Sequence, residues 1–307
     1  MFLAFALSGC EQTEQSQVNN QQQNISYSFK NPNTEQEFEI LHAYLLYESF
    51  IEAVQENPDE SHNKLYQQEV IQPVHEACFE DSGFVDLDTM LNWVPKESDF
   101  DDLKSQIELT NKDYLNELFK EALIKSSDIL PSNKKTTVCV FPQDKRLVSN
   151  MYTLGTGKII VFHSKPDRYY RAGMAHEYHH SVLNWEQYTD DNFETGLDRL
   201  ITEGKAMMFE TLVYPDSNTK YHGLDEGFNK ELWSKIEPYL ESAVTFEFVE
   251  EMVTGGSNGI PQYYGYSEGY KMVRSYLDLH PSMTVEEWTS KSSKEIFEEI
   301  NYISNYQ

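Results

Sequence analysis

Three cysteines in 307 residues are too few for a disulfide-built scaffold, and none stands in CxxC spacing, so a zinc-finger set is excluded. Positive charge is scarce as well: 24 Lys and Arg face 51 Asp and Glu, a formal net charge of −27. Nucleic-acid binding needs clustered basic side chains to release counterions from phosphate, and docking on an anionic bilayer needs them too, so neither fits this chain. No apolar run approaches the roughly 20 residues that span a membrane. Glycine (14) and proline (11) are few and show no period, which excludes a collagen-like chain, and no heptad repeat points to a coiled coil. Aromatic side chains, in contrast, are plentiful. With 20 Tyr and 17 Phe among 39% hydrophobic residues, most of the chain has the means to build a core. The acidic excess reads as a solvated surface, and it favours basic or neutral peptides over acidic ones as ligands.

Thr34-x-x-Glu37 has capping-box spacing, and Ile40, Tyr44, Tyr47, Ile51 and Val54 follow at helical intervals. A helix is expected there, ended by Asn57-Pro58-Asp59, with a second from about Leu65 towards Cys78 broken near Pro73. Residues 101–128 carry the longest helical pattern, with Leu103, Ile107, Tyr114, Leu118 and Ala122 on one face and Pro131 closing it. The period then changes to that of strands at Thr136–Phe141 and Lys158–Phe162, the second read as edge-like, with a turn at Gly155-Thr156-Gly157. Pro166-Asp167 opens a further helix, and after a loop near Asp190 and Asp191 another runs from Gly196 to about Val213. A glycine-marked loop at Gly255, Gly256 and Gly259 precedes helices near 266–279 and 284–300. Helices, a small sheet and more helices make the expected class α+β.

The chemistry concentrates in His176-Glu177-Tyr178-His179-His180. Residues four apart share one helix face, so His176 and His180 can reach one ion, while Glu177 is offset beside it and can take a proton from a bound water. Zinc accepts nitrogen and oxygen ligands in a tetrahedral shell whose fourth position a catalytic site keeps for water. An acidic third ligand is available on the next helix as Glu203, in the sequence Leu200-Ile201-Thr202-Glu203-Gly204-Lys205-Ala206; Asp190, Asp191 and Asp198 are alternatives without that Glu-Gly context. A metzincin would need Gly at 183 and His at 186, where this chain has Leu183 and Glu186. His179 could also ligate, but choosing it would leave His180 without a role.

HExxH followed by a Glu-Gly-x-Ala helix resembles the gluzincin group of zinc metallopeptidases. More narrowly, Ala175–His180 with Leu197–Gly204, and Gly265-Tyr266-x-x-Gly269-Tyr270 with Val273, Tyr276 and Leu277, resemble the bacterial DUF2268 family of predicted zinc-dependent proteases. Leu65-Tyr66 with Val70 and Pro73 is similar to it as well, so the resemblance extends over roughly Phe38 to Ile300. It implies a mostly helical, zincin-like fold with a small sheet beside the HExxH helix, with His176, His180 and Glu203 as Zn2+ ligands and Glu177 as catalytic base. It also implies an oxyanion donor downstream, for which Tyr266 and Tyr270 are candidates, with His163 and His222 in reserve as otherwise ordinary surface histidines. By analogy with zincin folds, the strand at Lys158–Phe162 would bind an extended peptide as an added strand.

At the other end, Met1–Cys10 (MFLAFALSGC) resembles the end of a bacterial lipoprotein signal peptide, with a lipobox that places lipid on Cys10. No Lys or Arg precedes Cys10, and the apolar stretch is short, as in a truncated signal peptide. Residues 11–33, rich in Gln and Asn at the start, read as a tether. A catalytic domain would then fill 34–307, with a helical part to 131 and the zincin-like core from 132. The expected protein is an extracytoplasmic, lipid-anchored zinc metallopeptidase acting on peptides or proteins. Glu11, in place of Asp, favours the outer membrane where the cell has one. A non-catalytic zinc- or ligand-binding lipoprotein and a zinc hydrolase of non-protein amides are the other readings. Glu177 separates the first of these from a peptidase, because a closed structural zinc site needs four ligands and no base. Cys78 and Cys139 are left either as a disulfide, which such a compartment permits, or as two core thiols.

Overall fold

The computed structural model describes residues 25–82, 91–143, 150–163, 169–183, 194–216, 227–245 and 248–307. Cys10, Pro166, Asp167, Glu186, Asp190, Asp191 and His222 lie outside them. The chain forms two compact units, one within residues 1–117 and 134–166, the other within 118–133 and 167–307. The fold is α+β. Among the described residues, no helix is long and apolar enough to cross a membrane.

The first unit holds a five-stranded mixed sheet: β1 (Ser26–Lys30), β2 (Glu37–Leu41), β3 (Thr136–Pro142), β4 (Met151–Gly155) and β5 (Lys158–His163), in the order β1-β2-β3-β5-β4. β3 runs parallel to both its neighbours and every residue in it is buried, as its unbroken β-branched and apolar sequence requires. The outer pairs β1–β2 and β4–β5 are antiparallel. β5 has β3 on one side and β4 on the other, so the expected edge strand at Lys158–Phe162 has no free edge for a peptide. Among the described residues, the outermost strands are β1 and β4.

The helix expected from the Thr34-x-x-Glu37 spacing starts later. Residues 37–41 are strand, and α1 runs from Leu46 to Glu56. Two interactions override the local pattern. The Gln36 side chain donates to Lys134 O and Thr136 Oγ1 at 3.2 Å each, fixing the register against β3. Phe38 and Ile40 then alternate into the core with strand period. Thr34 instead closes the β1–β2 turn, where it accepts from Gln36 N. β1 falls inside the stretch read as tether.

After α1 the chain makes a broken helix in four pieces, His62–Tyr66, Gln67–Ile71, Gln72–Val74 and His75–Cys78, with Pro73 inside the third piece. Cys78 and Cys139 form a disulfide that ties this helix to the central strand. The long helix expected over 101–128 is two, α2 (Phe100–Leu109) and α3 (Lys112–Ile129), and α3 runs on into the second unit. Thr110 is extended, and the Asn111 side chain accepts from Tyr114 N as a cap, leaving Tyr114 exposed rather than on the buried face.

The second unit is helical: α4 (Tyr170–Val182), α5 (Gly196–Val213), α6 (Lys230–Ile236), α7 (Tyr264–Leu279), α8 (Val285–Thr289) and α9 (Ser293–Glu299). The pattern over 284–300 is divided because Ser292 caps α9 by accepting from Glu295 N. Thr195 and Asp198 form a capping box that starts α5. From Leu200 to Glu210 every residue of α5 is buried, which makes it the central helix of the unit. It meets α7 at two glycines: a Cβ on Gly204 would lie 2.2 Å from the Gly269 carbonyl, and one on Gly269 would lie 1.9 Å from Leu200 O. This approach explains both the Glu-Gly pair at 203–204 and the second glycine of the Gly265-x-x-x-Gly269 spacing.

Candidate metal centre

A helix buried on all sides must find partners for every polar side chain it carries. Between Leu200 and Glu210, α5 carries Glu203, Lys205 and Glu210, and each is directed to a specific task. Lys205 donates to Thr289 O (2.9 Å) and Lys291 O (2.6 Å) at the end of α8; burial pulls its pKa down to about 8. The two glutamates face α4.

On α4, His176 and His180 stand one turn apart with their rings 4.8 Å between centroids. His176 Nε2 is 3.1 Å from His180 Nε2 and 3.1 Å from Glu203 Oε2, and His180 Nε2 is 3.3 Å from the same oxygen. The three side chains are 4%, 7% and 2% exposed in that order. In a tetrahedral shell with N and O ligands at about 2.0–2.1 Å, neighbouring ligand atoms stand roughly 3.3 Å apart, so the triangle has the dimensions of one face of such a shell. Two imidazole nitrogens and a carboxylate oxygen converging in a water-poor site are also a donor set whose chemistry suits a zinc ion. The residues present therefore fit the metal.

Charge around the triangle is arranged on two sides. Arg199, one turn before Glu203 on α5, has Nη2 2.8 Å from Glu203 Oε1. Burial alone would push the Glu203 pKa up, but Arg199 and the two histidines outweigh it and hold the carboxyl well below its usual range. Behind His176, Glu210 Oε2 lies 3.5 Å from Nδ1, long for a formed hydrogen bond but close enough to orient an N–H toward it. Burial opposes charge on His176, yet Glu203 and Glu210 together raise its pKa to about 10. Neither Arg199 nor Glu210 was singled out from sequence. The i−4 and i+7 spacings from Glu203 were visible signals, but helical spacing alone does not tell a ligand's partner from a surface charge.

Glu177 is half-buried, and its charge bears on both His176 and Arg199. The Tyr266 ring, on α7, lies 6.1 Å from that of His176 and 5.9 Å from that of Tyr263. Tyr270 is buried one turn further on, where it bears electrostatically on Arg274. His179 points away from the triangle: it is fully buried, stacks on Trp288 at 5.5 Å and bonds Thr289 Oγ1 at 3.1 Å. Burial holds its pKa well below the usual histidine value. His163, expected as a surface histidine, is buried at the end of β5 in the first unit, and burial lowers its pKa to about 4. Asp198 is occupied as the capping partner of Thr195.

The profile of the family described as "Predicted Zn-dependent protease (DUF2268)" matches residues 115–298. The chain belongs to that family. The stretch shared with the DUF2268 proteins contains His176, Glu177, His180, Arg199, Glu203, Glu210 and Tyr266, while Leu65–Pro73 falls outside it. No curated protein and no solved structure matches the chain.

Proposed function

We propose that this protein is a zinc-dependent peptidase in which His176, His180 and Glu203 hold the metal and Glu177 is the general base. The observation that carries the proposal is the buried triangle of ligand atoms with edges of 3.1–3.3 Å. A zinc ion held there supplies a water of lowered pKa and polarises a carbonyl. The residues of the chain do the rest. Glu177 follows His176 on the helix, beside the ligand face, where a carboxylate can accept the proton of the attacking water and pass it to the leaving amine. Tyr266, packed against His176, offers a phenol as donor to the substrate carbonyl oxygen as charge develops on it. Glu210 keeps the His176 N–H on Nδ1, so that Nε2 presents its lone pair to the ligand face. The acidic chain, with its net charge of −27, favours basic or neutral peptides.

The test is cleavage of a diverse peptide mixture by the zinc-loaded protein, read by mass spectrometry beside Glu177→Gln. Cuts made by the parent alone support the proposal. If neither form cuts while both bind one zinc tightly, the protein is a zinc-binding module or acts on another class of amide. If neither binds zinc, the ligand assignment is wrong. The Cys10 lipobox adds a proposal about place: a lipid on Cys10 tethers the enzyme outside the cytoplasm. Cys10→Ser should release the protein from membranes, and continued membrane association of that variant would refute the tether.

A further inference from the structure

We infer that Arg199 is the positioning residue that makes Glu203 a one-oxygen ligand, and so keeps a place open for the reacting water. The inference rests on the zinc reading above and assigns a role to a residue outside the ligand set.

A glutamate can bind an ion through one oxygen or through both, and the choice decides how many positions remain. Here the two oxygens are already divided. Glu203 Oε2 faces His176 Nε2 and His180 Nε2 at 3.1 and 3.3 Å, while Oε1 accepts from Arg199 Nη2 at 2.8 Å. The carboxylate is 2% exposed, so solvent hardly competes for either oxygen. A charge-assisted hydrogen bond of that length draws Oε1 toward the guanidinium. For the second oxygen to reach the ion, the carboxylate would have to rotate about its own axis and give up that bond in a buried site.

The guanidinium is itself constrained. It stands at i−4 on the same helix as Glu203, is only a quarter exposed, and is faced by Glu194, Glu177 and Tyr266 as well as by Glu203. Its planar fork fixes the direction of the N–H donors, which the rotatable ammonium of a lysine would not. Among the described residues, Arg199 Nε is buried without a hydrogen-bond partner.

The experiment uses the full chain loaded with Co2+ in place of zinc. It compares the parent with Arg199→Met and Arg199→Gln, with visible absorption reporting coordination number and chelator competition reporting affinity. The parent should give the intense bands of four-coordinate Co2+. Both variants should bind the metal about 10- to 100-fold more weakly, the usual effect of losing a ligand's partner, with the weaker bands of a five-coordinate ion. A folded variant with the parent's spectrum and affinity overturns the inference. X-ray absorption of the zinc-loaded parent tests it without any substitution. Two nitrogens, one carboxylate oxygen and one water are expected, and two carboxylate oxygens from Glu203 would overturn it. If the parent binds neither Co2+ nor zinc, the metal reading itself fails, a result distinct from a parent that binds normally and variants that match it.

Discussion

The glycine contact between α5 and α7 can be tested by adding one methyl group. In Gly269→Ala the new Cβ would stand 1.9 Å from Leu200 O, 2.9 Å from Leu200 C and 3.0 Å from Gly204 N. All three are backbone atoms, so no side chain can swing aside to make room. Even a tight contact of 3.0 Å requires the helices to part by 3.0 − 1.9 = 1.1 Å at this point. Overpacking of this kind costs typically about 1–3 kcal/mol, and more when only backbone can yield. Alanine in place of glycine within a helix returns about 1 kcal/mol through propensity, so from the upper end of that cost, about 3 kcal/mol, the net effect is a loss of about 2 kcal/mol. Equilibrium urea unfolding of the zinc-free protein measures it. Gly227→Ala is the control, because a Cβ there meets nothing within 4 Å among the described residues. Glu203 precedes Gly204 on one of these helices and Tyr266 lies a turn before Gly269 on the other, so zinc affinity should fall with stability. A Gly269→Ala protein as stable as the parent, or more so, would mean that the helices do not approach this closely. Gly204→Ala probes the same contact, so the double variant should lose less than the sum of the singles.

Other consequences are open to measurement. Glu210→Gln keeps the shape beside His176 but removes the charge, and should weaken zinc binding about 10- to 100-fold with the fold intact, as read by chelator competition; unchanged affinity would remove Glu210 from the site. Replacing Cys78 and Cys139 together by Ala opens a loop with a sequence separation of 61 and should cost about 2–4 kcal/mol in urea unfolding; an unchanged midpoint would show that the cross-link does not restrict the unfolded chain. His42, fully buried with Nε2 2.7 Å from Asn116 Oδ1, has its pKa pushed down by burial to about 4. The unfolded chain then takes a proton below about pH 6.5 that the folded chain refuses, so stability should fall between pH 6.5 and 4, by at most about 3 kcal/mol from this group. His42→Gln should flatten that decline, and an identical slope in parent and variant would refute the assignment.

The legible part of this chain was the part in which local pattern and chemistry agree. The helix around HExxH, the helix after Gly196 and the strands at 136 and 158 all read correctly because their periods persist and their ends carry turn residues. The edge character given to the strand at 158 could not be read, because pairing is set by the partner: β4, with its short Met151–Gly155 sequence, supplies the covering strand. Tyr44 follows Ile40 at a helical interval, yet Ile40 belongs to a strand, since pairing with β1 and β3 buries more than a local turn would. Within the candidate site, the first ring of residues could be named from spacing. Arg199 and Glu210 could not, because a charge on a helix is ordinarily solvated, and only the contact of Arg199 with Glu203 and the burial of Glu210 behind His176 show that these two are turned inward.

That burial also explains why one helix carries so much of the site. A carboxylate in a dry interior cannot remain ionised without a nearby cation; Arg199 supplies one at Glu203 Oε1, and a metal held by His176 and His180 would supply a second at Oε2. Glu210 serves the opposite need, since a carboxylate behind His176 favours the imidazole whose Nε2 faces the ligand triangle. On a metal held at this triangle the two groups would act in opposite directions, Arg199 drawing electron density from Glu203 and Glu210 returning it through His176. Removing either should therefore shift the acidity of the water at the open position in opposite senses. Arg199→Met, by making Glu203 a stronger donor, should raise the pH at which activity rises. Glu210→Gln, by weakening His176 as a donor, should lower it. A pH–rate profile of kcat/KM for the two variants measures both, and displacement in the same direction would refute this division of labour.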